Sequence, residues 1–216
     1  MYPQLAAPAV KQLGLSCRFA HLDSTSFHTD GQYNSADEAP EDVIHITPGY
    51  SRDHRPDLNQ VVLQLICERQ AGIPLLMESL SGNTSDNVSF RDTINAHVAQ
   101  LRDDVNVDYV IADSALYGAE TLQALTEIHW ITRVPETLSL ARELIHATAA
   151  DLMNTPDQTT LRSLGTVYAD VRQRWVVVYS PDAYRRALHT VNQHCLQRSR
   201  DELKTFDRLC QQDFAC

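Results

Sequence analysis

The spacing of polar and apolar positions changes several times along this chain, and each change marks an element. Phe19 to Phe27 follows a two-residue period and reads as a strand carrying His21, Asp23 and Thr25 along one face. Val43 to Ile46 predicts a short strand. Gln60 to Glu68 is strongly apolar and predicts a central strand, after which Ala71-Gly72 makes a turn and Ile73 to Ser79 returns antiparallel. Val105 to Ala112 and Trp130 to Val134 predict two further strands. Helices are expected from the turn Gly82-Asn83-Thr84-Ser85-Asp86 to about Leu101, with Ser85 or Asp86 as cap, and over Gly118 to Glu127. The first ten residues, apolar and loosely patterned, read as the end of a helix, and Gly31 to Asp42 as an acidic, turn-rich connector.

Past Pro135 the pattern changes. Leu138 to Met153 predicts a helix that Asn154-Thr155-Pro156-Asp157 breaks. Leu164 to Val171 and Arg174 to Tyr179 predict a hairpin turning near Arg172-Gln173, and Pro181 to Gln212 a long polar helix. Three strands, a helix, a strand, a helix and a strand form the front half of an RNase H-like sheet. The expected class is therefore α/β: a mixed sheet flanked by helices, with a partial β-containing insertion and a C-terminal helix. The expected division is a residual N-terminal segment at 1–14, the front half of the core at 15–135, an insertion at 136–180 and a helical segment at 181–216.

A chain of 216 residues is long enough to bury a real core. No apolar stretch reaches membrane-spanning length, and Met1-Tyr2-Pro3-Gln4 lacks an export signal, so a cytoplasmic protein is expected. The five cysteines include no CxxC pair and suit reduced thiols. The net charge of -10 argues against a self-sufficient DNA binder. Local charge still counts, because catalytic carboxylates add negative sign that bound metal offsets.

Asp23 and Asp113 each stand where a short apolar run meets a turn or small-residue segment. Carboxylates at adjacent strand ends can share divalent cations, and such cations orient phosphate and activate water. Between them Gly49-Tyr50-Ser51-Arg52-Asp53-His54-Arg55-Pro56-Asp57-Leu58-Asn59-Gln60 is richer than a connecting loop needs. Arg52, His54 and Arg55 are donors suited to a phosphate backbone, and Asp57 can orient an arginine; a salt-bridged surface turn is the competing reading. Gly82 and Asn83 suit unusual backbone angles, and Asn83 or Asp86 can hold the turn near the metal, with a purely structural turn as the alternative. Thr25 follows Asp23 on the same strand face. His21 is expected as a partly buried structural residue, with contact to substrate or to a supporting carboxylate as the alternative, and Trp130 and Trp175 as core or interface. His189, His194 and Cys195 do not converge as a zinc set.

The Gly49 to Gln60 string resembles the signature of DDE transposases of the IS4 superfamily, especially the IS1634 group. Leu22-Asp23-Ser24-Thr25 and Val110-Ile111-Ala112-Asp113-Ser114-Ala115 resemble the segments bearing their two catalytic aspartates. Gly72-Ile73-Pro74-Leu75 and Gly82 to Asp86 resemble the region between. The resemblance covers roughly residues 15 to 180. It implies an RNase H-like catalytic fold and Mg²⁺ (or Mn²⁺), two ions in an intact site, with metal on Asp23 and Asp113. It also implies double-stranded DNA at insertion-element terminal repeats as partner, strand cleavage followed by transfer, and a nucleoid-associated location when DNA is bound.

The third carboxylate of that family lies in a pattern like Tyr-x-x-Arg-x-x-x-Glu. Here Arg185 and Arg186 follow Tyr184 directly, position 191 is Val, and Glu202 lacks the preceding Tyr and Arg. A truncated catalytic-core fragment, inactive alone, is the leading expectation. It would act as a possible homodimer or with a full-length transposase. The alternatives are a noncatalytic DNA-binding or oligomerising remnant and a metal-dependent nuclease of the same fold.

Overall fold

The computed structural model describes residues 2–31, 33, 43–50, 55, 57–125 and 128–212, and falls into two compact units. The first comprises Met1–Pro135 with Val167–Val171, the second Glu136–Thr166 with Arg172–Cys216. Most of the acidic connector expected at 31–42 lies outside the described residues. Among those described, no helix is long and apolar enough to cross a membrane.

The first unit opens with helix α1 (Tyr2–Gln12), followed by strands β1 (Phe19–Thr29), β2 (Thr47–Pro48), β3 (Asn59–Glu68) and β4 (Pro74–Ser81). Helix α2 (Asp86–Val105), strand β5 (Tyr109–Ala112), a 3-10 turn at Ser114–Leu116, helix α3 (Ala119–Ala124) and strand β6 (His129–Thr132) complete it. The six strands form one mixed sheet in the order β2-β3-β1-β5-β6, with β4 also paired to β3. β1 runs antiparallel to β3 and parallel to β5, and β5 parallel to β6. Setting aside the two-residue β2, the strands lie as third, second, first, fourth, fifth, the order of an RNase H-like core.

The core gathers on one face of this sheet. Ala20 and Leu22 of β1, Ile66 of β3, Leu75 and Leu76 of β4 and Val110 of β5 meet Phe90, Ile94, Val98 and Leu101 of α2, with Ala6 and Val10 of α1 beside them. Phe90, Ile66 and Leu75 are wholly enclosed, each worth about 1.5–3 kcal/mol of burial. Strand alternation sends His21, Asp23, Thr25 and Phe27 to the opposite face, where all four are exposed. His21 is thus exposed rather than partly buried.

β3 is less uniformly apolar than its composition suggests, because its covered face carries Gln60, Gln64 and Glu68, each 1% exposed. Gln64 Nε2 donates to Thr93 Oγ1, which donates to Glu78 Oε2 at 2.9 Å. The Glu68 carboxylate accepts from the backbone N–H groups of Gln70, Ala71 and Ile73 and so closes the turn into β4, where Gly72 takes φ +69°. Burial pushes the Glu68 carboxyl up, but the N–H donors of Ile73, Gln70, Ala71 and Gly72 outweigh it and leave the group below its ordinary value.

Several boundaries move from the sequence reading. Val43 to Ile46 is not a strand: His45 N donates to Ser81 Oγ at 3.0 Å and its carbonyl accepts from Gly82 N, and the short strand falls at Thr47–Pro48. α2 reaches Val105, so the next strand begins only at Tyr109. Asn106 in the left-handed region (φ 56°) ends the helix, its N–H on Arg102 O. Ser85 is the N-cap residue of α2, without a side-chain cap bond.

The second unit holds helix α4 (Ser139–Leu152), strands β7 (Thr160–Tyr168) and β8 (Val171–Tyr179), and helix α5 (Pro181–Cys210). The hairpin turns at Ala169-Asp170 rather than at Arg172-Gln173. Both residues have positive φ (52° and 61°), as a two-residue turn matching strand twist requires. α5 starts with Ser180 Oγ accepting from Ala183 N at 3.4 Å and Pro181 in its first turn. Along it Leu188, Val191, Leu203 and Phe206 are all exposed, at 47–63%. Trp175 is buried and Trp130 packs against the first unit's core, as core residues should.

Candidate functional site

The paired register of β1 and β5 ends at His21 with Ile111, and carried two residues further it sets Asp23 opposite Asp113, which directly follows β5. β1 and β5 pair Phe19 with Tyr109, Ala20 with Val110 and His21 with Ile111, an offset of 90 at each pair (109 minus 19). The same offset separates the two aspartates (113 minus 23), and Asp113 continues in extended backbone (φ -74°, ψ -171°). Adjacent strands are about 4.8 Å apart, so two carboxylates at matched positions are neighbours on one sheet face.

Each carboxylate is oriented by a nearby backbone amide. Asp23 Oδ1 accepts from Ser24 N at 2.9 Å, and Asp113 Oδ1 from Ala115 N at 2.9 Å, capping the 3-10 turn. Thr132 Oγ1 donates to the Asp113 carbonyl and ties the end of β5 to β6. Close by, burial pushes the Cys67 thiol up, with the Glu68 and Asp23 carboxylates adding to it.

Alternation turns Ser24 to the covered face, where its hydroxyl donates to Asp86 Oδ1 at 2.7 Å. The first turn of α2 is thereby tied to the residue that orients Asp23. Ser24 was not among the residues singled out from the sequence. Its only signal was adjacency to Asp23 in a common Asp-Ser-Thr string.

Thr25, Asn83 and Asp86 all line a cleft of about 360 Å³ at this end of the sheet, together with Tyr50 and Gln60 of the long motif. Gly82 supplies no positive φ. Its role is close approach, since a Cβ there would collide with the carbonyls of Gln60 and Thr47. Gly49 is packed the same way against Gly82 O. The glycines of both motifs therefore let two backbone segments and the Gln60 amide meet.

Of the predicted DNA contacts, Arg52 and His54 lie outside the described residues. Arg55 grips Asp57 in a two-bond fork, Nε to Oδ1 at 2.9 Å and Nη2 to Oδ2 at 2.8 Å. The shared hydrogen bond raises the Arg55 value and lowers that of Asp57. Their further charged neighbours are Asp30 and His28, at the far end of β1. At about 3.3 Å per strand residue that end is roughly 17 Å from Asp23, within the span of a bound duplex but not of one phosphate.

Two aspartates with hard oxygen donors suit a divalent cation. Among the described residues, no group of three or more His, Cys, Asp or Glu side chains converges to hold one. Among the described residues Asp23 and Asp113 offer hard oxygen donors of the kind such an ion takes, with no third acidic side chain converging on them.

A search of curated proteins finds no match. Among solved structures, the Mos1 transposase paired-end complex with left transposon end is 12% identical, with a TM-score of 0.35, covering 68% of this chain and 46% of that one. The piggyBac transposase synaptic complex with hairpin DNA is 9% identical, with a TM-score of 0.41, covering 76% and 33%. The large terminase nuclease from thermophilic phage G20c is 18% identical, with a TM-score of 0.24, covering 56% and 66%. The chain thus spans less than half the length of those Mos1 and piggyBac chains. Residues 18–208 match the family described as "Transposase DDE domain", most of the chain, and the protein belongs to that family of DDE transposases.

Proposed function

We propose that the chain is part of the catalytic core of a transposase of the IS4 superfamily, nearest the IS1634 group, acting on double-stranded DNA at insertion-element terminal repeats. The observation that supports this reading is the parallel pairing of β1 with β5, whose offset of 90, extended two residues past His21 and Ile111, sets Asp23 opposite Asp113. Both carboxylates would hold Mg²⁺ or Mn²⁺. When bound, such an ion lowers the pKa of its water and stabilises the charge that develops on a phosphodiester. The protein's own part is to aim the two carboxylates through Ser24 N and Ala115 N, and to brace Ser24 with Asp86. Thr25, Asn83 and Asp86 support the site from the cleft side, and Arg55, fixed by Asp57, meets the DNA backbone further along. Arg52 and His54 belong to the same proposed contact.

With no third acid joining Asp23 and Asp113 among the described residues, the chain alone should hold metal weakly and not cut DNA. Mn²⁺ titration of the protein tests the site: Asp23→Ala and Asp113→Ala should each abolish the binding seen in the starting protein. Equal affinity in all three would end this reading. Incubation with supercoiled plasmid and Mn²⁺ should leave it unnicked.

A second reading, a noncatalytic DNA-binding or oligomerising role, draws support from α5. Its Arg185, Arg186, Arg198, Arg200, Lys204 and Arg208 accompany a run of exposed apolar side chains over 30 residues. Sedimentation that changes with concentration, and reverts on Leu188→Glu with Phe206→Glu, would favour self-association through this helix.

A further inference from the structure

Among the described residues nothing covers the apolar stripe of helix α5, and every residue from Asp182 to Cys210 is exposed. The stripe runs through Tyr184, Leu188, Val191 and Cys195 in steps of four, three and four. It continues through Ser199, Leu203, Phe206 and Cys210 in the same steps. At about 100° per residue all these positions fall within an arc of about 120°, the width of one packing face. A lone helix is marginal in water, and most helical stability comes from packing such a face. The stripe therefore calls for a partner along the helix, whose 30 residues span about 45 Å.

The spacing points to a second copy of the same helix. A step of four joins Cys195 to Ser199, so the whole series of steps reads the same in both directions. An antiparallel copy centred on Gln197 thus sets Leu188 level with Phe206 and Val191 level with Leu203. Tyr184 falls level with Cys210 and Cys195 with Ser199, every pair of numbers summing to 394. Such a face is self-complementary, as a two-fold interface requires.

Charge agrees with this orientation. Arg185 and Asp207 flank the stripe on the same edge, and antiparallel pairing brings that edge of one helix against the same edge of the other. Asp207 of the other copy then lies two residues, about 3 Å, from the level of Arg185. Arg185 Nη2 already donates to Asp182 Oδ1 at 2.6 Å, and its guanidinium keeps further donors. A parallel pair would instead set Arg185 level with Arg185 and Asp207 level with Asp207, with the two helix dipoles aligned. Duplex DNA suits the stripe less, because Asp201, Glu202 and Asp207 interrupt the basic residues and apolar side chains offer phosphates nothing.

We infer that α5 pairs with α5 of a second copy as an antiparallel helix pair centred on Gln197, with Leu188 against Phe206 and Val191 against Leu203 along the seam. The inference rests on the self-association reading of this helix and adds its orientation, register and edge contact. It also fixes which thiols can meet. Cys195 and Cys210 are both exposed. In this register the two copies of Cys195 stand four residues, about 6 Å, apart along axes about 8–10 Å from one another, out of disulfide reach.

The test uses the full chain, with analytical ultracentrifugation of the reduced protein and diamide oxidation read on non-reducing gels, the linked peptides being identified by mass spectrometry. The reduced protein should be a dimer. Tyr184→Cys places a thiol level with Cys210 of the other copy. On one helix those positions are 26 residues (210 minus 184), about 39 Å, apart, so only a dimer can link them. This variant should crosslink about tenfold or more faster than the starting protein. Asp207→Arg should weaken the dimer severalfold, and adding Arg185→Asp should restore it.

Crosslinking of the starting protein through Cys195 to Cys195 overturns the antiparallel orientation and leaves self-association intact. A dimer in which Tyr184→Cys gains no link to Cys210 overturns the register. Failure of Arg185→Asp to rescue Asp207→Arg overturns the edge contact. A protein that stays monomeric at every concentration overturns both the pairing and the self-association reading. If that monomer binds duplex DNA and loses it on Arg198→Glu, the helix is a DNA surface instead. Mn²⁺ titration of the aspartate variants decides the two-aspartate reading separately in every case.

Discussion

Ser24 donates its hydroxyl to Asp86 at 2.7 Å while its own backbone N–H holds the Asp23 carboxylate, so the first residue of α2 and a candidate site acid share one strand residue. Asp86→Ala should cost about 1.5–3 kcal/mol of stability, the usual worth of a hydrogen bond to a charged group. It should also weaken Mn²⁺ binding severalfold with Asp23 still present. Ser24→Ala should do the same, and the double variant should be little worse than either single one. Fully additive losses in thermal melts and titrations would show that the two residues act apart.

Glu68 gives a pH signature. Its folded value lies below the ordinary one, so its contribution is present above the unfolded value of about 4.3 and is lost as pH falls through the folded value. Glu68→Gln should destabilise by about 1–3 kcal/mol at pH 7, because an NH₂ then faces the Gln70, Ala71 and Ile73 donors. In urea melts the gap from the starting protein should narrow as pH drops below 4. A gap constant from pH 7 to pH 3 would contradict this account.

Gly82→Ala should cost about 1–3 kcal/mol or more, since its new methyl meets the carbonyls of Gln60 and Thr47. Gly165→Ala, in β7, has open space around its Cβ and should be neutral or stabilising by about 0.5 kcal/mol. Chemical denaturation of the two variants should therefore separate clearly.

The Ala169-Asp170 turn holds a non-glycine pair at positive φ. Ala169→Asn with Asp170→Gly keeps that conformation with less strain and should raise stability by about 1 kcal/mol. No rise in the melting temperature would mean that the turn's angles are not the cost they look to be. The bond from Gln123 Nε2 to Ala169 O uses only the backbone and survives the change.

How much of this was legible in the sequence depends on whether the signal is local. The two-residue period of β1 showed which face carries His21, Asp23 and Thr25, and the Ala71-Gly72 turn showed that β3 and β4 pair. Asn106 was not legible as a helix end, because Val105 and Val107 continue an apolar pattern on both sides of it. The hairpin turn was misplaced for the same reason: nothing in Ala169 advertises a left-handed backbone. The long motif was visible as unusual, but its text pointed to the cations Arg52, His54 and Arg55. Gln60 read as the start of an apolar strand, and only the fold shows it buried with its amide spanning two carbonyls. The bond from Ser24 to Asp86 joins positions 62 apart, and no spacing rule reaches that far.

The matched offset of β1 and β5 also governs when the site comes into being. β3 and β4 meet across a turn of a few residues and β3 also pairs with β1, whereas the pairing of β1 with β5 waits for a strand 90 positions later. Closing so large a loop carries an entropic toll, and strands joined this way zip late and slowly. The two acids are therefore expected to come together near the end of folding. In pulse-labelled hydrogen exchange, the amides of Ala20 and Val110 should gain protection after those of Gln64 and Leu65.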